Sequence, residues 1–134
     1  MLTEDYCDFE TAKLLKEKGF DAKCRYYYIQ TGEMFEVDTR FHTVLTTQEL
    51  LNLQIVGEKE ERCVAPTLQM AMKWLREVYH IHIRLINSSD ESYRYEIYPR
   101  EGKYVSHCFS NKIYYETYEE ACEAACIYAL KNLI

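Results

Sequence analysis

Four histidines and six cysteines in 134 residues are the side chains most able to do chemistry here. His80 and His82 are two apart, so on a strand both leave by one face, a geometry that zinc accepts. His107 or Cys108 on a neighbouring strand would have to supply further ligands. The bland alternative is two polar residues on a solvated face, with Ile81 and Ile83 on the buried one. No C-x-x-C or H-x-x-x-H element accompanies them, so no metal and no other cofactor is expected. Thiol catalysis needs a base beside the sulfur, and His107 and Cys108, adjacent in sequence, point to opposite faces of a strand. Cys122 and Cys126 share one helix face. As small apolar groups they suit packing under a sheet better than a disulfide or a metal pair. With no Gly-rich phosphate loop, G-x-S-x-G or H-E-x-x-H present, no catalytic residue is assigned. A metal- or thiol-dependent enzyme is the third-ranked reading.

The tyrosines are the other unusual feature, thirteen in all, with runs at Tyr26-Tyr27-Tyr28 and Tyr114-Tyr115. Three consecutive tyrosines on a strand cannot share a face, so either Tyr27 or its two neighbours point outward. Tyrosine offers a large contact area and a polar edge, which favours protein interfaces. Ordinary sheet propensity with cross-strand aromatic pairs accounts for the run equally well. The leading expectation is a non-catalytic protein-interaction module that contacts another protein or a copy of itself. Its anchors would be Tyr26 and Tyr28 together with Met70 and Trp74, wherever these are exposed. A nucleic-acid accessory protein is the alternative, stacking tyrosines on single-stranded bases beside Arg25, Arg84 and Arg94.

Composition narrows the partners. Sixteen basic against twenty-two acidic side chains leave a net charge of -6, which provides no global excess of cations for a phosphate backbone. The acidic start Thr3-Glu4-Asp5 does not resemble a secretion signal, and no run approaches the ~20 apolar residues of a membrane span. Without an export signal, the cysteines are expected to be reduced thiols and the protein cytoplasmic.

The elements that would position these groups follow from local signals. Asp8 predicts an N-cap, Gly19 a helix end, and Gly32-Glu33 a turn between strands at 24–31 and 34–37. Thr46-Thr47-Gln48-Glu49 has capping-box spacing, and Gly57 to Arg62 reads as a solvated loop. Pro66 is expected in the first turn of a helix whose apolar stripe is Leu68, Ala71, Met72, Leu75, Val78 and Tyr79, with Met70 and Trp74 on another side. Strands are predicted at 80–87, 93–98 and 104–109, with turns at 88–91 and 99–102. A last helix is capped by Thr117 and Glu120, with a buried stripe of Tyr118, Ala121, Cys122, Ala125, Tyr128, Ala129 and Leu133. The order α-β-β-α-α-β-β-β-α describes an α+β fold with antiparallel sheet packed on helices. It is expected to form one domain over 1–134, with sub-lobes at 1–62 and 65–134.

Residues 65–134, and the phrase Thr117-Tyr118-Glu119-Glu120-Ala121-Cys122-Glu123-Ala124-Ala125-Cys126, resemble the layout of a double-stranded-RNA-binding domain. That family holds phosphates with lysines where this chain has Tyr118, Glu119 and Cys122, and its minor-groove loop corresponds to the acidic Ser88-Ser89-Asp90-Glu91. The resemblance therefore implies the layout without duplex-RNA binding. The whole chain is also similar to uncharacterised small proteins of gut anaerobic bacteria, their prophages and mobile elements. That likeness rests on residues 9–20, on Ala65-Pro66-Thr67-Leu68-Gln69-Met70-Ala71-Met72-Lys73-Trp74-Leu75-Arg76-Glu77, and on residues 118–125. It implies an intracellular setting and no particular activity.

Overall fold

Asp8 opens the first helix, α1 (Phe9–Glu17), by accepting a hydrogen bond from the Thr11 amide at 2.9 Å. Gly19 closes it at φ +91°, a left-handed position, while the Phe20 amide returns to the Leu15 carbonyl at 2.9 Å. The structure, a computed structural model, describes residues 5–37, 44–52, 61–88, 90–101, 104–105 and 108–134. It divides into two units, Tyr6–Thr67 and Leu68–Ile134, the second also taking in Asp5.

In the first unit, β1 (Tyr26–Ile29) and β2 (Met34–Glu36) form the expected hairpin, with Tyr27 opposite Phe35 and Gly32 in its turn at φ +89°. A short helix, α2 (Thr47–Asn52), carries a reciprocal capping box. The Glu49 amide donates to Thr46 Oγ1 and the Thr46 amide to Glu49 Oε1, both at 3.1 Å. The sequence gives no sign of β3 (Arg62–Val64), which pairs antiparallel with β1 and completes a sheet ordered β2-β1-β3. Arg62 is thus in a strand and not in a solvated loop, while most of that expected loop lies outside the described residues. The core collects Ala12, Tyr28, Cys63 and Ala65, with Phe9 and Tyr26 packed against it.

The second unit begins with α3 (Leu68–Tyr79) and continues through β4 (Ile81–Asn87), β5 (Tyr93–Glu101) and β6 (Tyr104–Val105) to α4 (Tyr118–Asn132). All pairings are antiparallel, in the order β4-β5-β6, with Ile83 opposite Ile97. The inner face carries Ile81, Tyr95 and Ile97, and α4 buries Ala121, Cys122, Ala125, Cys126, Ala129 and Leu130. Small side chains along α4 let helix and sheet approach closely. The larger Leu75, Ile81, Ile97 and Leu130 are fully buried, each contributing about 1.5–3 kcal/mol. The Cys122 thiol lies 3.4 Å from the Met72 sulfur, joining α4 to α3.

The α+β class stands, and several local expectations change. Pro66 precedes α3 and is not in its first turn; its carbonyl accepts from the Cys7 amide at 2.8 Å. Val78 is 51% exposed, so the stripe of α3 ends at Leu75. β5 runs through the expected turn at Pro99, and the Arg100 amide donates to the His80 carbonyl at 2.9 Å. On α4, Cys126 and Leu130 are buried where Tyr118, Tyr128 and Leu133 were expected; those three are only half-buried. Among the described residues, no helix is long and apolar enough to cross a membrane.

Candidate functional site

The tyrosine run shows how a strand sorts consecutive aromatics. Tyr28 points into the first unit's core, 8% exposed, and its hydroxyl donates to the Cys7 carbonyl at 2.5 Å. Phe9 packs on its ring at 5.5 Å between centroids. Tyr26 shares that face, half-buried, edge-on to Tyr6 at 4.9 Å. Tyr27 takes the opposite face, stacks on Phe35 at 6.0 Å, and lies 5.7 Å from the Arg62 guanidinium carbon. Every residue of β2 is exposed, including Met34 at 38% and Phe35 at 42%. In the sheet order β2 is terminal, so an apolar strand with exposed side chains stands at one end of the aromatic sheet.

The anchors expected from the sequence are therefore not all surface groups. Trp74 is 8% exposed and packs edge-on to Tyr79 at 5.2 Å; Met70 is half-buried. Tyr28 and Trp74 serve as packing, and of the four only Tyr26 and Met70 keep appreciable exposure. Sequence reasoning missed Met34 and Phe35, whose signal was their place on the hairpin's outer strand. It also left Ile113 and Tyr114 unassigned, although both are more than half exposed.

The cationic residues named beside the tyrosines are largely engaged. Arg25 pairs with Glu36 across the hairpin at 2.6 Å, which raises the guanidinium pKa further, and Arg94 lies 3.9 Å from Glu96. Arg84 sits directly opposite Glu96 in the β4–β5 register.

His80 and His82 do not share a strand face. His80 lies outside β4 at φ +58°, and only His82 is in the strand, opposite Tyr98. Burial lowers the His82 pKa, and Arg100, Arg76 and His80 lower it further. His107 lies outside the described residues. Among the described residues, no three His, Cys, Asp or Glu side chains are grouped to hold a metal ion.

One polar cluster on this sheet was not anticipated. Tyr98 donates to Glu96 Oε2 at 2.9 Å, and the exposed Cys108 thiol donates to the same oxygen at 3.5 Å. The Glu96 carboxylate, and next the neighbouring thiol, push the Tyr98 phenol up to about 12. A carboxylate that already accepts from a phenol and a thiol, with Arg94 close by, is a satisfied acceptor, and the three groups hold one another.

A separate cavity of about 240 Å³ lies between α1 and β3, lined by Phe9, Lys13, Lys16, Glu17, Glu61, Arg62 and Cys63. Burial pushes the Cys63 thiol up to about 11, against the pull of Lys16 and Lys13. Compared with known protein families, curated proteins and solved structures, the chain matches none.

Proposed function

We propose that this chain is a non-catalytic intracellular protein-interaction module whose contact surface is the aromatic sheet of its first unit, centred on β2. The observation that carries the reading is the exposure of Met34 and Phe35 on the terminal strand of that sheet. Strand addition suits such an edge: main-chain hydrogen bonds supply affinity, and alternate side chains find pockets. Phe35 stacked on Tyr27 then gives a rigid apolar anchor, with Tyr26 and the Arg25–Glu36 pair nearby as a polar border. The occupant is an extended segment of another protein or of a second copy.

Six cysteines outside any disulfide, five of them buried, support a reducing cytoplasm. The likeness to small proteins of gut anaerobes and prophages supports the same setting. The α-β-β-β-α order of the second unit supports a layout shared with double-stranded-RNA-binding domains. Glu119 and Glu120 in the first turn of α4, and the exposed Asp90 and Glu91, oppose a phosphate backbone there. The engagement of Arg25 and Arg94 with carboxylates weighs against single-strand binding as well.

The test is a Met34→Ser, Phe35→Ser double variant. It is expected to keep its fold and its stability within about 0.5 kcal/mol, as exposed substitutions do. Concentration-dependent sizing and capture from the cells that carry the gene should both separate it from the parent chain. A parent that stays monomeric and captures nothing that the variant loses would end this reading.

A further inference from the structure

We propose that the cavity between α1 and β3 is a binding site for a small organic anion with an apolar body, such as an aromatic carboxylate. The inference is independent of the protein-interaction reading, because the cavity opens beside α1 and does not involve Met34 or Phe35.

Phe9, Lys13 and Lys16 recur at helical spacing and so line one side of the cavity from a single face of α1. β3 supplies the other side through Arg62 and Cys63, with Glu61 just before it. Phe9 and Cys63 also belong to the packed core, so they form an apolar floor that is already held in place. The Lys13 ammonium sits 4.5 Å from the Phe9 ring centroid, above that floor.

At the Cys63 thiol the pull of Lys16 and that of Lys13 each exceed the opposing push of Glu61, so the two lysines are the stronger charges felt at that wall. Among the described residues neither lysine has an ion-pair partner, whereas Lys23 and Arg25 are paired with Glu49 and Glu36. A volume of about 240 Å³ equals roughly eight liquid-water volumes, enough for a single ring with its acidic group. Apolar walls with a few convergent charges are what a small-molecule site requires. The ring would lie against Phe9 and Cys63 and the carboxylate would meet the two ammonium groups.

The experiment titrates the full chain with benzoate, benzamide and acetate while backbone amide resonances are followed. Saturable shifts confined to residues around 9–17 and 61–63 are expected with benzoate, with a Kd on the order of 1 mM or tighter. Benzamide lacks the charge and acetate lacks the ring, so each is expected to bind at least about tenfold more weakly, a difference of 1.4 kcal/mol. Lys13→Gln with Lys16→Gln should remove the preference for benzoate over benzamide; if that variant misfolds, Lys16→Gln alone should narrow it. Absence of saturable shifts, equal binding of benzamide, or an unchanged preference in the folded variants would overturn the site.

Discussion

The two sheets of this protein both bury tyrosine but differ in what they leave on the open side. In β1–β3 the strands are three or four residues long, and tyrosines fill the buried face and spread to the open one. In β4 and β5 the strands are seven and nine residues long, Ile81, Ile83, Leu85 and Ile97 share the inner face with Tyr93 and Tyr95, and the other face carries His82, Arg84, Arg94, Glu96 and Tyr98. The second arrangement is the ordinary partition of a sheet covered on one side by helices. The first leaves Phe35 and Met34 at the surface, where a sheet built for solubility alone would place charge. Exposed apolar groups on the sheet with the shorter strands are the difference on which the proposed contact surface rests.

Substitutions sharpen the contrast. The largest effect is expected at Trp74, where alanine should cost about 3–5 kcal/mol in urea denaturation; an exposed anchor would cost far less. Tyr28→Phe comes next. Losing the 2.5 Å bond to the Cys7 carbonyl should cost about 1–2 kcal/mol, while Tyr27→Phe on the opposite face should change stability little. Removing one helix cap in each unit, by Asp8→Ala or Thr117→Ala, should cost about 1 kcal/mol apiece and show whether the units respond alike.

The pH dependence should report on both units, the alkaline limb drawing on Cys24 and Cys63 in the first and on the raised Tyr98 phenol in the second. In the first unit, burial raises Cys24 to about 12 and Cys63 to about 11, from an ordinary value of 9.0. A raised thiol pKa favours folding below the unfolded value and loses that contribution as pH climbs toward the folded one. Stability should therefore decline between about pH 9 and 12, and alanine at either cysteine should flatten the decline. In the second unit the exposed Asp90 carboxylate, held by Ser88 and then Ser92, falls to about 2. Its contribution is present above the usual carboxylate range and fades as pH drops from about 4 toward 2, the smallest of these effects. Asp90→Asn should remove that slope in an acid titration followed by circular dichroism.

Much of the fold was legible because its signals are local. Asp8, Gly19, Thr46, Glu49, Thr117 and Glu120 announce helix ends within four residues of chain, and Gly32 announces the hairpin. β3 was illegible because Arg62-Cys63-Val64 is too short to show a period, and becomes a strand only by pairing with Tyr27–Ile29. The cavity beside α1 inherits that difficulty, since its lining needs Cys63 next to that helix. Periodicity identified Trp74 as lying off the main stripe of α3 but could not tell whether that side is covered. Pro99 looked like a turn residue by type, yet it falls in β5 opposite Ile81.

The sulfur contact between Cys122 and Met72 has a consequence for the protein's chemical tolerance. The two sulfurs are 3.4 Å apart, with Cys122 wholly shielded from solvent and Met72 buried. An oxygen added to either one would press on the contact between α3 and α4. Shielding keeps peroxide away while the helices stay packed, so the exposed Cys108 would react first and the seam only after α3 and α4 had opened.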